Sequence, residues 1–131
     1  MSYSHWLSAE RINTIHTDLF HPARAPGERH ERPISAVTAN VENWFHYGDD
    51  DESDVLLVAS VYAWSLARAH CFHDGNKRTA FATMLHYLDD CGLMLDLAND
   101  DTLVSIMVDV AANKATVYDL RDVLVLYARP S

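Results

Sequence analysis

Residues 70–80 read His70-Cys71-Phe72-His73-Asp74-Gly75-Asn76-Lys77-Arg78-Thr79-Ala80 and hold the densest set of chemically useful side chains in the chain. Histidine exchanges a proton near neutral pH, so His70 is suited to act as a general base. Asp74 is a hard oxygen ligand of the kind that holds Mg²⁺ together with substrate phosphates. Gly75 and Asn76 lead into helical spacing, and the first N–H groups of a helix lack intrahelical acceptors and attract an anion. Lys77 and Arg78 add two positive charges there, Arg in bidentate geometry and Lys as a point charge. Cations at a helix start are unfavourable unless an anion joins them. A base, a metal carboxylate, an anion-binding helix start and two cations suit phosphoryl or nucleotidyl transfer, where catalysis is positioning and charge stabilisation.

Each of these residues has a simpler reading by itself. His70 alone would be a satisfied core histidine, Asp74 an N-cap, and Lys77 with Arg78 a solvated first turn. Phe72 is expected to anchor the loop in the core, Thr79 to fill the helix and His73 to be exposed. His73-Asp74 is also the dipeptide of the HD phosphohydrolases, with His46 and Asp109 as conceivable partners, but that reading gives Gly75 to Arg78 nothing to do. A metal site from His70, His73 and Asp74 at helical spacing fails because Gly75 breaks the element there.

The elements that must position this segment are helical almost throughout, with little strict alternation of the strand type. Ser8 is placed to cap a first helix through about Phe20, with Glu10 early in it and Ile12, Ile15 and Leu19 as its stripe. His21 to Pro33 contains three prolines and one glycine and is expected to be a loop or flap. Ile34 to about Tyr47 carries Val37, Val41, Trp44 and Phe45 at helical spacing, and the acidic run Gly48 to Asp54 opens the next helix. That third helix, about Ser53 to Ala69, is apolar nearly all round and therefore central. A fourth runs from the loop to about Cys91, where Gly92 stops it, with Phe81, Met84, Leu85 and Leu88 inward. Helices near Asp100 to Ala112 and Thr116 to Tyr127 complete a predicted all-α compact bundle of about six helices, one domain over residues 1–131. Ala98 to Thr102 and Asn113 to Thr116 are expected to be short connections.

The chain has 131 residues, 49% hydrophobic, with 19 Asp and Glu against 10 Lys and Arg. The resulting formal charge of −9 argues against direct nucleic-acid or anionic-membrane binding, which need a basic surface. No apolar run approaches the roughly 20 residues that span a bilayer, and Met1 to Ala9 has no signal-peptide core, so a cytoplasmic protein is expected. Cys71 and Cys91 fall in apolar stretches that read as helical and are expected to be small core residues rather than a disulfide.

His70-x-Phe72-x-Asp74-Gly75-Asn76-Lys77-Arg78-Thr79 resembles the signature of the Fic/Doc superfamily, and its Doc branch most closely. Fic enzymes that transfer AMP carry H-P-F-x-[DE]-G-N-G-R-x-x-R. Here Cys71 replaces the proline, Lys77 the second glycine and Phe81 the last arginine, the departures that mark Doc (death-on-curing) toxins. The resemblance extends from the flap through the third helix to Gly92 and implies a Fic/Doc fold.

What the resemblance implies is specific. His70 would be the base on a target hydroxyl, Asp74 would hold Mg²⁺, and Gly75, Asn76, Lys77 and Arg78 would bind nucleotide phosphates, with Lys77 and Arg78 also catalytic. Lys77 would crowd the pocket that AMP-transferring enzymes use for the β- and γ-phosphates, and Phe81 offers no charge there. ATP would then bind in the reversed sense and give up its γ-phosphoryl group. Doc toxins phosphorylate a threonine of elongation factor Tu, which halts translation, and a Phd-type antitoxin neutralises them. The alternatives are AMP transfer by a Fic-type nucleotidyltransferase and a degenerate Fic fold that only binds. Thr38-Ala39-Asn40-Val41-Glu42-Asn43 also fits the loose [ST]-x-x-x-E-[GN] pattern of the inhibitory helix in Fic proteins, although the same stretch supplies a core helix. The flap from Phe20 to Ile34 is the candidate for target recognition, with Arg24, Arg29 and Arg32, and Arg68 stands two residues before the base.

Overall fold

The computed structural model describes residues 6–96 and 101–131. Six helices follow in order, α1 (Ala9–Phe20), α2 (Ile34–Tyr47), α3 (Val55–Ala69), α4 (Asn76–Asp90), α5 (Thr102–Ala111) and α6 (Val117–Tyr127). The architecture is the expected all-α bundle, with α3 at its centre. Val58, Ala59, Val61, Tyr62 and Ala63 on α3 have no exposed surface, and α1, α2, α4, α5 and α6 pack around this helix and its neighbour α4. Its small residues Ala59, Ala63 and Ala67 are buried in one cluster with Ala80, Met84, Tyr87 and Leu88 of α4.

The helix starts follow from side chains that take up orphan N–H groups. Ser8 accepts from Arg11 N (3.1 Å), as predicted. Thr116 and Asp119 form a reciprocal capping box on α6. α3 begins two residues later than predicted because Asp54 is its cap, accepting from Leu57 N, while Asp51 takes up Ser53 N in a turn before it. α2 starts on Pro33 without a side-chain cap of its own; the Glu28 carboxylate in the flap accepts from Ile34 N at 2.7 Å instead. α1 is tied to α4 by a bidentate Arg11–Asp90 ion pair.

Two short strands, β1 (Leu93–Leu95) and β2 (Ala128–Pro130), pair antiparallel and were not expected. Three residues each are too few to carry an alternation signal. Gly92, at φ +81, reverses the chain after α4. Cys71 is buried in the loop one residue beyond the cap of α3, not in a helix, and Cys91 is the half-buried C-cap of α4. The connection Asn113 to Thr116 is as expected, whereas Ala98 to Asp100 lies outside the described residues. No helix among the described residues is long and apolar enough to cross a membrane.

Burial pushes the Cys71 thiol up to about 11, helped by the Glu28 charge, and pushes the Tyr62 hydroxyl up to about 12. Both groups are neutral when folded and ionise earlier in the unfolded chain, so the stability they lend is complete below the unfolded pKa and fades as pH rises towards the folded one. Stability should therefore fall between about pH 9 and 11, and Cys71 should resist iodoacetamide at neutral pH in native protein while Cys91 alkylates first, which peptide mass analysis reads directly.

Candidate functional site

The polar segment sits where α3 ends and α4 begins. His70 caps α3 in the left-handed conformation (φ 52, ψ 48), which lifts the chain off the helix axis and leaves its imidazole exposed. Cys71 and Phe72 then dive into the core, Phe72 being 2% exposed as expected. Asn76 holds this dive in shape. Its Oδ1 accepts from Phe72 N and its Nδ2 donates to Phe72 O, both at 2.9 Å. The Asn76 side chain is thus spent on the loop, and what it offers an anion is its backbone N–H.

Gly75, at φ +82, is the N-cap of α4. The Asp74 carboxylate falls one residue short of that role: Oδ1 accepts from Gly75 N at 2.8 Å rather than from the helix. Asp74 is therefore not the N-cap that its reading in isolation would make it, and its carboxylate is exposed, with Oδ1 engaged by Gly75 N. Thr79 N closes the first intrahelical bond onto Gly75 O, so the N–H groups of Asn76, Lys77 and Arg78 have no acceptor within α4.

His70, His73, Asp74, Gly75, Asn76, Lys77 and Arg78 line one open cavity of about 400 Å³. Every predicted catalytic, phosphate and metal residue therefore borders one space. Arg78 is steered by α1: its guanidinium donates to Leu19 O at 3.1 Å and lies 5.4 Å from the centre of the Phe20 ring. The negative end of α1 thereby holds a cation at the positive end of α4. His73 is exposed and Thr79 is buried. Phe81 faces elsewhere, lining an apolar groove of about 440 Å³ with Leu19, Leu85, Val104, Met107 and Val108, which shares only Lys77 and Arg78 with the polar cavity.

The recognition residues are dispersed. The flap runs antiparallel beside the motif loop, with Arg29 N donating to Cys71 O (2.7 Å), His73 N to Gly27 O (3.3 Å) and a bridge between Glu28 and Phe72. Arg29 is paired with Glu31, whereas Arg24 and Arg32 are exposed. Arg68 lies over the Trp64 ring and donates to Asn113 Oδ1 at 2.7 Å. Glu42 is not among the cavity's lining residues; its charge acts on Tyr62, whose hydroxyl accepts from Leu7 N at 2.9 Å. Glu42→Gly should therefore leave the site's activity unchanged, and a several-fold gain in rate would instead establish inhibition in cis. His46 meets Trp6 edge-on, and neither His46 nor Asp109 lines the cavity that holds His73 and Asp74.

Sequence reasoning missed His16. It is 1% exposed on α1, stacked on Phe72 (3.6 Å between centroids, 6° between planes), with Nε2 2.9 Å from Asp74 O. The available signal was its position four residues after Ile12, on the buried stripe of an otherwise amphipathic helix.

Compared with curated proteins, the chain matches none. The Fic/DOC family model matches residues 6–88, from the entry to α1 almost to the end of α4. That span covers more than half of the sequence and contains the cavity, the flap and the helices that carry them, so the chain belongs to the Fic/DOC family.

Proposed function

We propose that the chain is a Doc-type toxin of a toxin-antitoxin pair, a phosphotransferase that moves the γ-phosphoryl group of ATP to a Ser or Thr hydroxyl of elongation factor Tu or another translation protein. Members of the family are typically transferases. The observation that carries the finer reading is the composition of the cavity at the start of α4: Lys77 stands where an AMP-transferring enzyme has glycine, and Phe81 turns into the apolar groove instead of presenting a cation.

His70, exposed at the cavity wall, accepts the proton of the target hydroxyl. The hydroxyl oxygen forms its bond to the γ-phosphorus as the bond to the β,γ-bridging oxygen breaks. ADP leaves with that electron pair and the phosphoryl group stays on the target. The free N–H groups of the first turn, with Lys77 and Arg78, hold the phosphate oxygens and stabilise the charge that spreads over them. One exposed carboxylate with one oxygen engaged by Gly75 N suits Mg²⁺, which takes most of its ligands from phosphates and water. Magnesium held by Asp74 would neutralise phosphate charge.

The flap is the proposed guide for the target chain, and the apolar groove beside Lys77 and Arg78 is the proposed seat of a Phd-like antitoxin segment. Elongation factor Tu incubated with ATP labelled on either the γ- or the α-phosphorus tests the reading. Label from the γ position alone supports it, label from the α position would make the chain an AMP transferase, and label from neither with no Mg-dependent ATP binding would make it a binding module.

A further inference from the structure

The Asp74 carboxylate and the first N–H groups of α4 are joined by the Asp74–Gly75 peptide, so their relative direction depends on how that peptide is held. The motif does not hold it alone. His16 comes in from α1, its Nε2 2.9 Å from the Asp74 carbonyl oxygen. A carbonyl only accepts, so Nε2 carries the proton and donates. The ring lies flat on that of Phe72, whose backbone N–H and carbonyl Asn76 grips. Phe20, one turn further along α1, is 5.0 Å from the His16 ring, and a Cβ on Gly75 would come within 2.9 Å of it.

We propose that His16 is a positioning residue of this site, fixing the Asp74–Gly75 peptide so that the metal-binding carboxylate and the anion-binding turn face one point. A phenylalanine would fill the same apolar space without burying a polar ring, and a buried nitrogen is costly unless bonded. The hydrogen-bond partner of Nε2 is the site's own backbone. Holding reacting groups in fixed geometry supplies a large part of the catalytic effect of such a site. The catalytic consequence rests on the transfer reading above; the restraint of the peptide does not.

His16→Phe keeps the stack and removes the donor, and His16→Gln keeps a donor. In His16→Phe, amide hydrogen exchange at Gly75, bonded to Asp74 Oδ1, and at Thr79, bonded to Gly75 O, should quicken by about tenfold or more, with exchange across α3 unchanged. Phosphoryl transfer should lose about tenfold or more in kcat at an unchanged KM for the target, while unchanged exchange across α3 shows that the fold is intact. His16→Gln should recover part of both, and it decides the matter by the same two readings if the phenylalanine variant fails to fold. Unaltered exchange at Gly75 and Thr79 would overturn the proposal, as would wild-type kcat despite faster exchange. If wild-type protein transfers nothing, the proposed reaction is overturned instead, and exchange at Gly75 and Thr79 alone decides whether His16 holds the peptide.

Discussion

His70→Ala should lower transfer to the target hydroxyl by about a thousandfold, within the range a positioned general base supplies. The imidazole is exposed, so its removal creates no cavity in the core. The left-handed backbone at this position costs alanine about 1 kcal/mol, a change that melting would register without loss of fold. His70→Asn separates the two effects: asparagine tolerates the conformation but cannot act as the base, so it should melt like wild type and be as inactive as the alanine variant. Mg-dependent ATP binding should survive in both, because the phosphate-binding turn is untouched. Single-turnover kinetics beside isothermal titration check this, and an alanine variant that keeps a tenth of the wild-type rate would remove His70 from the chemistry.

The second large effect is expected at Gly75. A side chain there must adopt φ +82 and place its Cβ 2.9 Å from two atoms of the Phe20 ring. Conformational strain and overpacking together should cost about 2 to 4 kcal/mol in Gly75→Ala. The Phe20 ring has to move, and with it goes one of the surfaces on which the Arg78 guanidinium rests. Transfer should then fall by about a hundredfold even where the protein is fully folded, as for a small misplacement of catalytic groups. Pairing Gly75→Ala with Phe20→Ala should restore stability in part, because the clash is relieved, but not activity, because Arg78 keeps only the Leu19 carbonyl. Thermal melting and initial rates on Gly75→Ala, Phe20→Ala and the double variant read the two effects apart.

The polar run His70 to Arg78 was legible because it is contiguous: one loop and one helix start place those residues at one cavity whatever the rest of the bundle does. The helices were legible from apolar spacing and from caps such as Ser8 and Thr116. What the sequence could not display is everything that depends on two distant segments meeting. His16 reaches Asp74 across 58 residues, Arg78 reaches Leu19 across 59, and the flap pairs with Cys71 and Phe72 through backbone groups that carry no residue signature. The side-chain bonds of Asn76 and Asp74 were not legible for a related reason. Both types bond readily to nearby backbone, and which backbone they find is set by the left-handed turns at His70 and Gly75. The β1–β2 ribbon was invisible because it is a product of where α4 and α6 end.

The most direct test of the account is the intact mass of elongation factor Tu after incubation with the wild-type chain, Mg²⁺ and ATP. The account predicts the addition of a single phosphate. An AMP adduct would show that Lys77 and Phe81 do not set the direction in which the nucleotide lies, and an unmodified factor would contradict the proposed reaction on this target.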